Sequence, residues 1–396
     1  MGIIVQKFGG TSVATPEGRE HLVQKVTKAA ENASVVVVVS AMGRCPAPYA
    51  TDTLLGLVPC EGSADARELD AIAACGEIIS AVVVTVALRK AGLNAESLTG
   101  AQAGIITDDC HGQARILHID TKRLKNNIEA GKISVVAGFQ GVNSKGDVTT
   151  LGRGGSDTTA AALGAALGAD LVEIYTDVQG VMSADPSIVP EARWQDRMTY
   201  TEVIEMANLG AKVVHLQAVE IAMHSRIPLA IRSTFSDEPG TLITDLAGAG
   251  APFAPPKPVT AVATTAGRAQ VVVPAHDLGV FSAMAQAGVS VDMINVFPDR
   301  AAFIVAMQDL PVVKRVLDEL GHEAKIVEGC AKVSIVGEGM RGIPGIMAKL
   351  AEALARAGVD ILQTSDSHYS ISCLVPENEL ETAARALHAQ FGLGGM

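Results

Sequence analysis

Ile3-Ile4-Val5-Gln6-Lys7-Phe8-Gly9-Gly10-Thr11-Ser12-Val13 stands at the start of the chain. A short apolar run bounded by glycines predicts a core strand, and this one delivers a lysine into a glycine pair followed by two hydroxyls. Gly9 and Gly10 let the backbone approach an anion closely and expose its N–H groups. Lys7 adds a mobile positive charge. The pattern predicts phosphate handling; the competing reading is an ordinary glycine turn beside a surface lysine.

A second segment decides between them. Thr149-Thr150-Leu151-Gly152-Arg153-Gly154-Gly155-Ser156-Asp157-Thr158-Thr159 runs directly into the alanine-rich stretch Ala160 to Ala169. Ser, Asp and Thr supply helix caps, and alanine favours helix, so the glycine loop is predicted to open onto a helix N-terminus. Free N–H groups and the positive end of the helix dipole then face the loop. Neither segment has the spacing G-x-x-x-x-G-K-[ST] or G-x-G-x-x-G, so folds built on those loops fit poorly.

Two further segments complete a set: Leu171-Val172-Glu173-Ile174-Tyr175-Thr176-Asp177, continuing through Gly180-Val181-Met182 to Asp185-Pro186, and Asn208-Leu209-Gly210-Ala211-Lys212-Val213-Val214-His215. Together the four resemble the aspartate kinase family, within the amino acid kinase superfamily, and the resemblance covers essentially the whole chain. It implies ATP and L-aspartate as substrates, with Mg2+ arriving on the nucleotide. Met42-Gly43-Arg44-Cys45-Pro46-Ala47-Pro48-Tyr49-Ala50-Thr51-Asp52 and Ser365-Asp366-Ser367-His368 look most like the monofunctional, diaminopimelate-responsive members from Gram-positive bacteria.

Composition agrees. A chain of 396 residues with 48% hydrophobic residues can bury two or three domain cores. Its formal charge of −12 argues against nucleic-acid or anionic-membrane surfaces, which demand a basic excess. The most apolar stretch, Ile78 to Leu88, is short for a bilayer span, and a core strand stands where a signal peptide would, so the expectation is a cytoplasmic enzyme. The six cysteines contain no C-x-x-C pair, so reduced packing cysteines and no protein metal site are expected.

Along the chain, strands alternate with helices from residue 1 to about Asp245, with Val35 to Ser40, Ala103 to Thr107, Ser134 to Gly138, Leu171 to Thr176 and Pro228 to Arg232 clearest. Alternation of this kind predicts an α/β architecture with a mostly parallel central sheet, and the resemblance implies the amino acid kinase three-layer sandwich. Residues 246–258, rich in Ala, Gly and Pro, read as a linker. Beyond it Ala285-Gln286-Ala287-Gly288-Val289 matches Ala355-Arg356-Ala357-Gly358-Val359, marking an internal repeat like two ferredoxin-like ACT domains, 259–328 and 329–396. The second copy lacks a closing strand, so Val259 to Thr265 is expected to complete its sheet, because unpaired edges are a liability.

Phosphoryl transfer to a carboxylate needs no general base, because a carboxylate is already ionised at neutral pH; the difficulty is bringing anions together. The resemblance accordingly assigns Lys7 to the phosphoryl group in flight, Gly9 and Gly10 to backbone donation, Asp157 to holding Lys7, and Ser12 and Ser156 to nearby oxygens. Asp157 and Ser156 can equally serve as helix caps. For the substrate it assigns Arg153 as a carboxylate fork, Glu77 to the ammonium, and Thr51. For the nucleotide it assigns Thr176, Asp177, Met182 and Lys212. Many members carry an aromatic at Met182 and an arginine at Ser187; serine cannot replace a cation.

The ACT pair implies a homodimer and an amino-acid effector, diaminopimelate, lysine or threonine, bound near Met340, Pro344, Gly345, Ser365 and Asp366. The loop Pro274 to Gly279 of the first copy lacks the Pro-Gly opening, so unequal copies are expected. Two rivals remain: another amino acid kinase, acting on glutamate or acetylglutamate, and a catalytically silent amino-acid sensor.

Overall fold

A computed structural model describes residues 2–58, 65–211, 214–245, 258–274, 279–321, 323–340 and 342–394. Two expectations fall partly outside these residues: the linker, and the first-copy loop between Pro274 and Gly279. The described chain divides into two compact units, residues 1–181, 194–204 and 212–252 in the first and 182–193, 205–211 and 253–396 in the second.

The first unit is built on an eight-stranded sheet. Its order is Arg197–Thr199, Thr241–Thr244, Leu229–Ser233, Leu171–Thr176, Gly2–Phe8, Ala33–Val39, Ile133–Ala137, Ala95–Leu98. Every neighbouring pair is parallel except Leu229–Ser233 with Thr241–Thr244. The runs of Val in Ala33–Val39 and Ile133–Ala137 are buried on both faces, as a sheet covered by helices on each side requires. On one face Leu22 and Val26 of the helix Pro16–Ala30, with Ala81, Val84 and Leu88 of the helix Cys75–Lys90, pack against Val35, Val37, Val39, Val135 and Phe8. Each such fully buried Val or Leu contributes about 1.5–3 kcal/mol. The helical run Ala66–Lys90 is long and apolar enough to cross a bilayer, but half of its most apolar window is buried inside the protein.

On the opposite face lies the helix Gly155–Leu167, buried almost all round. Its small residues permit the approach: a Cβ on Gly164 would come within 2.4 Å of Val172 Cγ2. A separate four-stranded sheet, Ile116–Ile119, Ile105–Thr107, Gln140–Val142, Val148–Thr150, takes the strand expected at Ala103 to Thr107 out of the central sheet. It brings the loops at 108–115 and 151–154 together.

The second unit carries one six-stranded antiparallel sheet, ordered Asp292–Val296, Arg300–Ala306, Ala261–Pro274, Lys325–Val336, Ser370–Pro376, Gln363–Asp366. Two strands run through both halves. Ala261 to Thr265 pairs with Val336 to Lys332, whereas Gln270 to Val272 pairs with Val327 to Lys325. The register shifts between Thr265 and Gln270, beside Gly267 (φ 68) and Gly329 (φ 66). The separate strands expected at Val259 to Thr265 and Ala269 to Val273 are thus one strand, because glycines absorb the shift without ending it. Helices Gly279–Gln286 and Leu310–Leu320 cover one half and Ile346–Arg356 with Leu380–Gln390 the other. The two sheet edges are tied by side chains, Gln363 Nε2 donating to Asn295 Oδ1 at 2.6 Å.

Candidate active site

The C-terminal ends of Leu171–Thr176, Gly2–Phe8 and Ala33–Val39 lie side by side, where the crevice of an open α/β sheet forms. A cavity of about 1230 Å³ opens there, lined by Lys7, Gly9, Gly10, Thr51, Glu77, Arg153, Ser156, Asp157, Thr176 and Asp177 among others. The structure therefore brings together ten residues that the sequence nominated from segments up to 170 positions apart.

Lys7 is pinned. Its Nζ lies 2.6 Å from Asp157 Oδ1, and the side chains are only 11% and 15% exposed. Asp157 occupies the first turn of the helix Gly155–Leu167, the end of a helix that attracts negative charge. The two glycines divide their work. Gly9 spends its N–H on the carbonyl of Tyr175 at 3.1 Å, extending the ladder of the parallel strands by one residue, and does not furnish the free donor expected of it. Gly10 and Thr11 begin the short helix Gly10–Ala14, and the first N–H groups of a helix have no intrahelical acceptor. A side chain at Gly10 is excluded: its Cβ would stand 2.8 Å from the carbonyl oxygen of Ala41.

Glu77 is 3% exposed and sits in the first turn of the helix Cys75–Lys90. Its Oε1 accepts the N–H of Ala41 at 3.0 Å, while Oε2 has no hydrogen-bond partner. Burial pushes its pKa up to about 8, against the lowering effect of backbone hydrogen bonds. A buried carboxyl with an unmatched oxygen on a cavity wall suits a cationic group.

Arg153 is exposed on the cavity between Gly152 (φ 75) and Gly154 (φ 71). Gly154 is obligatory as well, since a Cβ would meet the His215 ring at 2.0 Å. Asp70 fixes this wall. Buried at 2%, it accepts from the Gly112 N–H at 3.0 Å and the Thr150 hydroxyl at 2.5 Å, and its Oδ2 lies 2.7 Å from His111 Nδ1. Loop 108–115 and the strand leading to Arg153 are thereby held to one carboxylate.

Other nominated residues fall elsewhere. Ser12 is fully buried and its hydroxyl pairs with Thr234 Oγ1 at 2.6 Å, so it does not line the cavity. Met182 and Ser187 belong to the second unit, where Ser187 Oγ donates to Asp185 Oδ1 at 2.6 Å. Lys212 lies outside the described residues. Of the effector residues, Met340 is buried, Pro344 is exposed, and Gly345 (φ 89) caps the helix Ile346–Arg356. Ser365 and Asp366 end the edge strand Gln363–Asp366.

Among the lining residues that sequence reasoning did not nominate are Ser40, Arg44, Arg115 and His215. Arg44 had a signal in its loop, between Gly43 and Pro46. His215 Nδ1 is buried without a partner, which no local pattern announces.

Comparison with known proteins places this geometry. Residues 2–233 match the model described as the amino acid kinase family, and residues 325–389 match that of the ACT domain. The chain is 45% identical to aspartokinase 1 of Bacillus subtilis over 99% of this chain and 100% of that relative. It superposes on E. coli aspartokinase III in complex with aspartate and ADP, described as the R-state, with a TM-score of 0.78 and 25% identity, covering 98% and 99% of the two chains. The same enzyme with lysine and aspartate, described as the T-state, matches equally, with a TM-score of 0.78 at 25% identity and the same coverage of 98% and 99%.

Proposed function

The chain belongs to the aspartokinase family of the amino acid kinases, and on that premise we propose that it transfers the γ-phosphoryl group of ATP to the 4-carboxylate of L-aspartate. The product is 4-phospho-L-aspartate, from which lysine, threonine, methionine and diaminopimelate derive. The observation that carries this reading is the Lys7–Asp157 pair at 2.6 Å on a cavity shared with Arg153 and the unmatched Glu77 Oε2. These groups meet the needs of a substrate with one ammonium and two carboxylates.

The attacking carboxylate arrives ionised, so no group has to remove a proton. Lys7, held by Asp157, neutralises charge on the phosphoryl group as it passes between oxygens, where fixed cations act most strongly. The N–H groups of Gly10 and Thr11 add donors at the same turn. Arg153 grips the substrate's other carboxylate as a fork, Glu77 accepts from its ammonium, and Thr51 and Ser156 offer hydroxyls. Thr176 and Asp177 stand at the nucleotide end, and Lys212 and Met182 are assigned to the nucleotide by family resemblance alone. Among the described residues no group of three or more His, Cys, Asp or Glu could hold a metal. Mg2+ would arrive with the nucleotide and would neutralise part of its phosphate charge.

In the second unit, an end-product amino acid, diaminopimelate, lysine or threonine, is proposed to bind at contacts between ACT domains of a homodimer, with Asp366 meeting its charged group. That the E. coli relative is found in complex with lysine supports an amino acid as the effector.

Initial rates of ADP release with L-aspartate, L-glutamate and N-acetyl-L-glutamate test the substrate. The expected kcat/KM for aspartate exceeds the others by about a hundredfold or more, since a site built to pair polar groups rejects a misplaced one strongly. Comparable rates with all three, or none with any, would contradict the proposal.

A further inference from the structure

Three neighbouring parallel strands end at the cavity: Ala33–Val39, Gly2–Phe8 and Leu171–Thr176, with Gly2–Phe8 in the middle. The middle strand exits into Gly9 and Gly10. The loop after Ala33–Val39 carries Arg44, and Asp177 directly follows Leu171–Thr176. Arg44 Nη2 lies 3.3 Å from Asp177 Oδ2, so this ion pair joins the ends of the two strands that flank the glycine turn.

The Arg44 loop is registered on that turn by backbone contacts. Gly43 N donates to the carbonyl of Gly10 at 3.0 Å, and Gly43 takes a φ of 83°. Asp177 is aligned in turn, its Oδ1 accepting from the Thr176 hydroxyl at 3.1 Å while Oδ2 faces Arg44. Both Arg44 and Asp177 line the cavity.

Stability does not account for the pair. The Arg44 and Asp177 side chains are 78% and 42% exposed, and exposed pairs are worth little. The geometry suits a different task. A guanidinium carries five N–H donors in a rigid fork, and one nitrogen of Arg44 meets Asp177. The remaining donors belong to a side chain that lines the same cavity as Gly10 and Thr11, and the other cations among the described lining residues have separate work: Lys7 is held by Asp157, and Arg153 and Arg115 stand on the wall fixed by Asp70.

We propose that Arg44 is a nucleotide-binding residue that donates to the polyphosphate of ATP, oriented by Asp177. The assignment rests on the kinase reading above for the identity of the nucleotide. It gives this chain a phosphate-facing cation from the loop after Ala33–Val39, while position 187 holds a serine engaged with Asp185.

The test compares the wild-type chain with Arg44→Ala and Arg44→Lys by calorimetric titration with ATP, ADP and adenosine, alongside KM values for ATP and aspartate. Arg44→Ala is expected to weaken ATP and ADP about tenfold, with adenosine unchanged and KM for aspartate within twofold. Arg44→Lys should recover part of the loss, because charge survives without the fork. Raising salt should weaken ATP binding less steeply in Arg44→Ala than in wild type. Equal ATP affinity in wild type and Arg44→Ala, equal losses for ATP and adenosine, or a rise confined to the aspartate KM would overturn the proposal. A wild-type chain that binds ATP but does not phosphorylate aspartate would overturn the substrate assignment alone, and the titrations would still decide Arg44.

Discussion

Lys7 Nζ stands 2.6 Å from Asp157 Oδ1, joining the central strand of the sheet to the first turn of the helix Gly155–Leu167. A flexible lysine is thereby converted into a fixed charge at the bottom of the cavity. Preorganisation of this kind is most useful where charge moves during reaction.

Lys7→Ala is accordingly expected to lower kcat on the order of a hundredfold, about 3 kcal/mol of lost transition-state stabilisation, with both KM values changed only a few fold. Steady-state kinetics check this. A near-normal kcat would remove Lys7 from the reaction.

Arg153→Lys should raise KM for aspartate about tenfold and leave that for ATP within twofold, because the charge remains while the two-pronged geometry is lost. A collapse of ATP affinity with intact aspartate affinity would put Arg153 on the nucleotide.

Glu77 gives two pH-dependent outcomes. Its folded pKa, about 8, lies above the ordinary carboxylate value, so the folded chain holds a proton that the unfolded chain has released. Its contribution to stability is present below the unfolded pKa and declines as pH rises towards about 8, with a slope of at most about 1.4 kcal/mol per pH unit. Denaturant titrations from pH 5 to 8 should show that decline flattened in Glu77→Gln. Aspartate binding near pH 7 should also release up to about one proton as the ammonium draws Glu77 into its ionised form. Calorimetry in buffers of different ionisation enthalpy measures this, and Glu77→Gln should abolish it; equal proton release in the two proteins would separate Glu77 from the ammonium.

Asp366→Ala should relieve inhibition by whichever of lysine, threonine or diaminopimelate inhibits the wild-type chain, with uninhibited kcat within about twofold, since a ligand shifts a conformational equilibrium only through its differential affinity. Inhibition curves check it. Unchanged inhibition would place the effector elsewhere.

Much of this was legible in the sequence because the chemistry is local. Gly10, Gly152 and Gly154 announce a strand exit and a helix start through positions that a side chain cannot take without strain. Gly154, with its positive φ beside the His215 ring, is the clearest case. The caps expected of Ser156 and Asp157, by contrast, are not made: Gly154 is the N-cap and no side chain caps the helix. What escaped depends on contacts between distant segments. Nothing near Ser12 says that its hydroxyl meets Thr234, and nothing near Arg44 says that it reaches Asp177 across an intervening strand. In the second unit the repeat was readable from Ala-x-Ala-Gly-Val, but the fusion of its strands was not. Gly267 and Gly329 look like strand breakers in sequence and act as bulges within continuous strands.

The most direct measurement is hydroxylamine trapping of the acyl phosphate, with ATP and L-aspartate supplied to the full chain and the hydroxamate identified by mass and chromatography. The account predicts the hydroxamate of the 4-carboxylate, formed in step with ADP and lost in Lys7→Ala. ADP release without any aspartyl hydroxamate, or a hydroxamate formed from glutamate or acetylglutamate in preference, would contradict it.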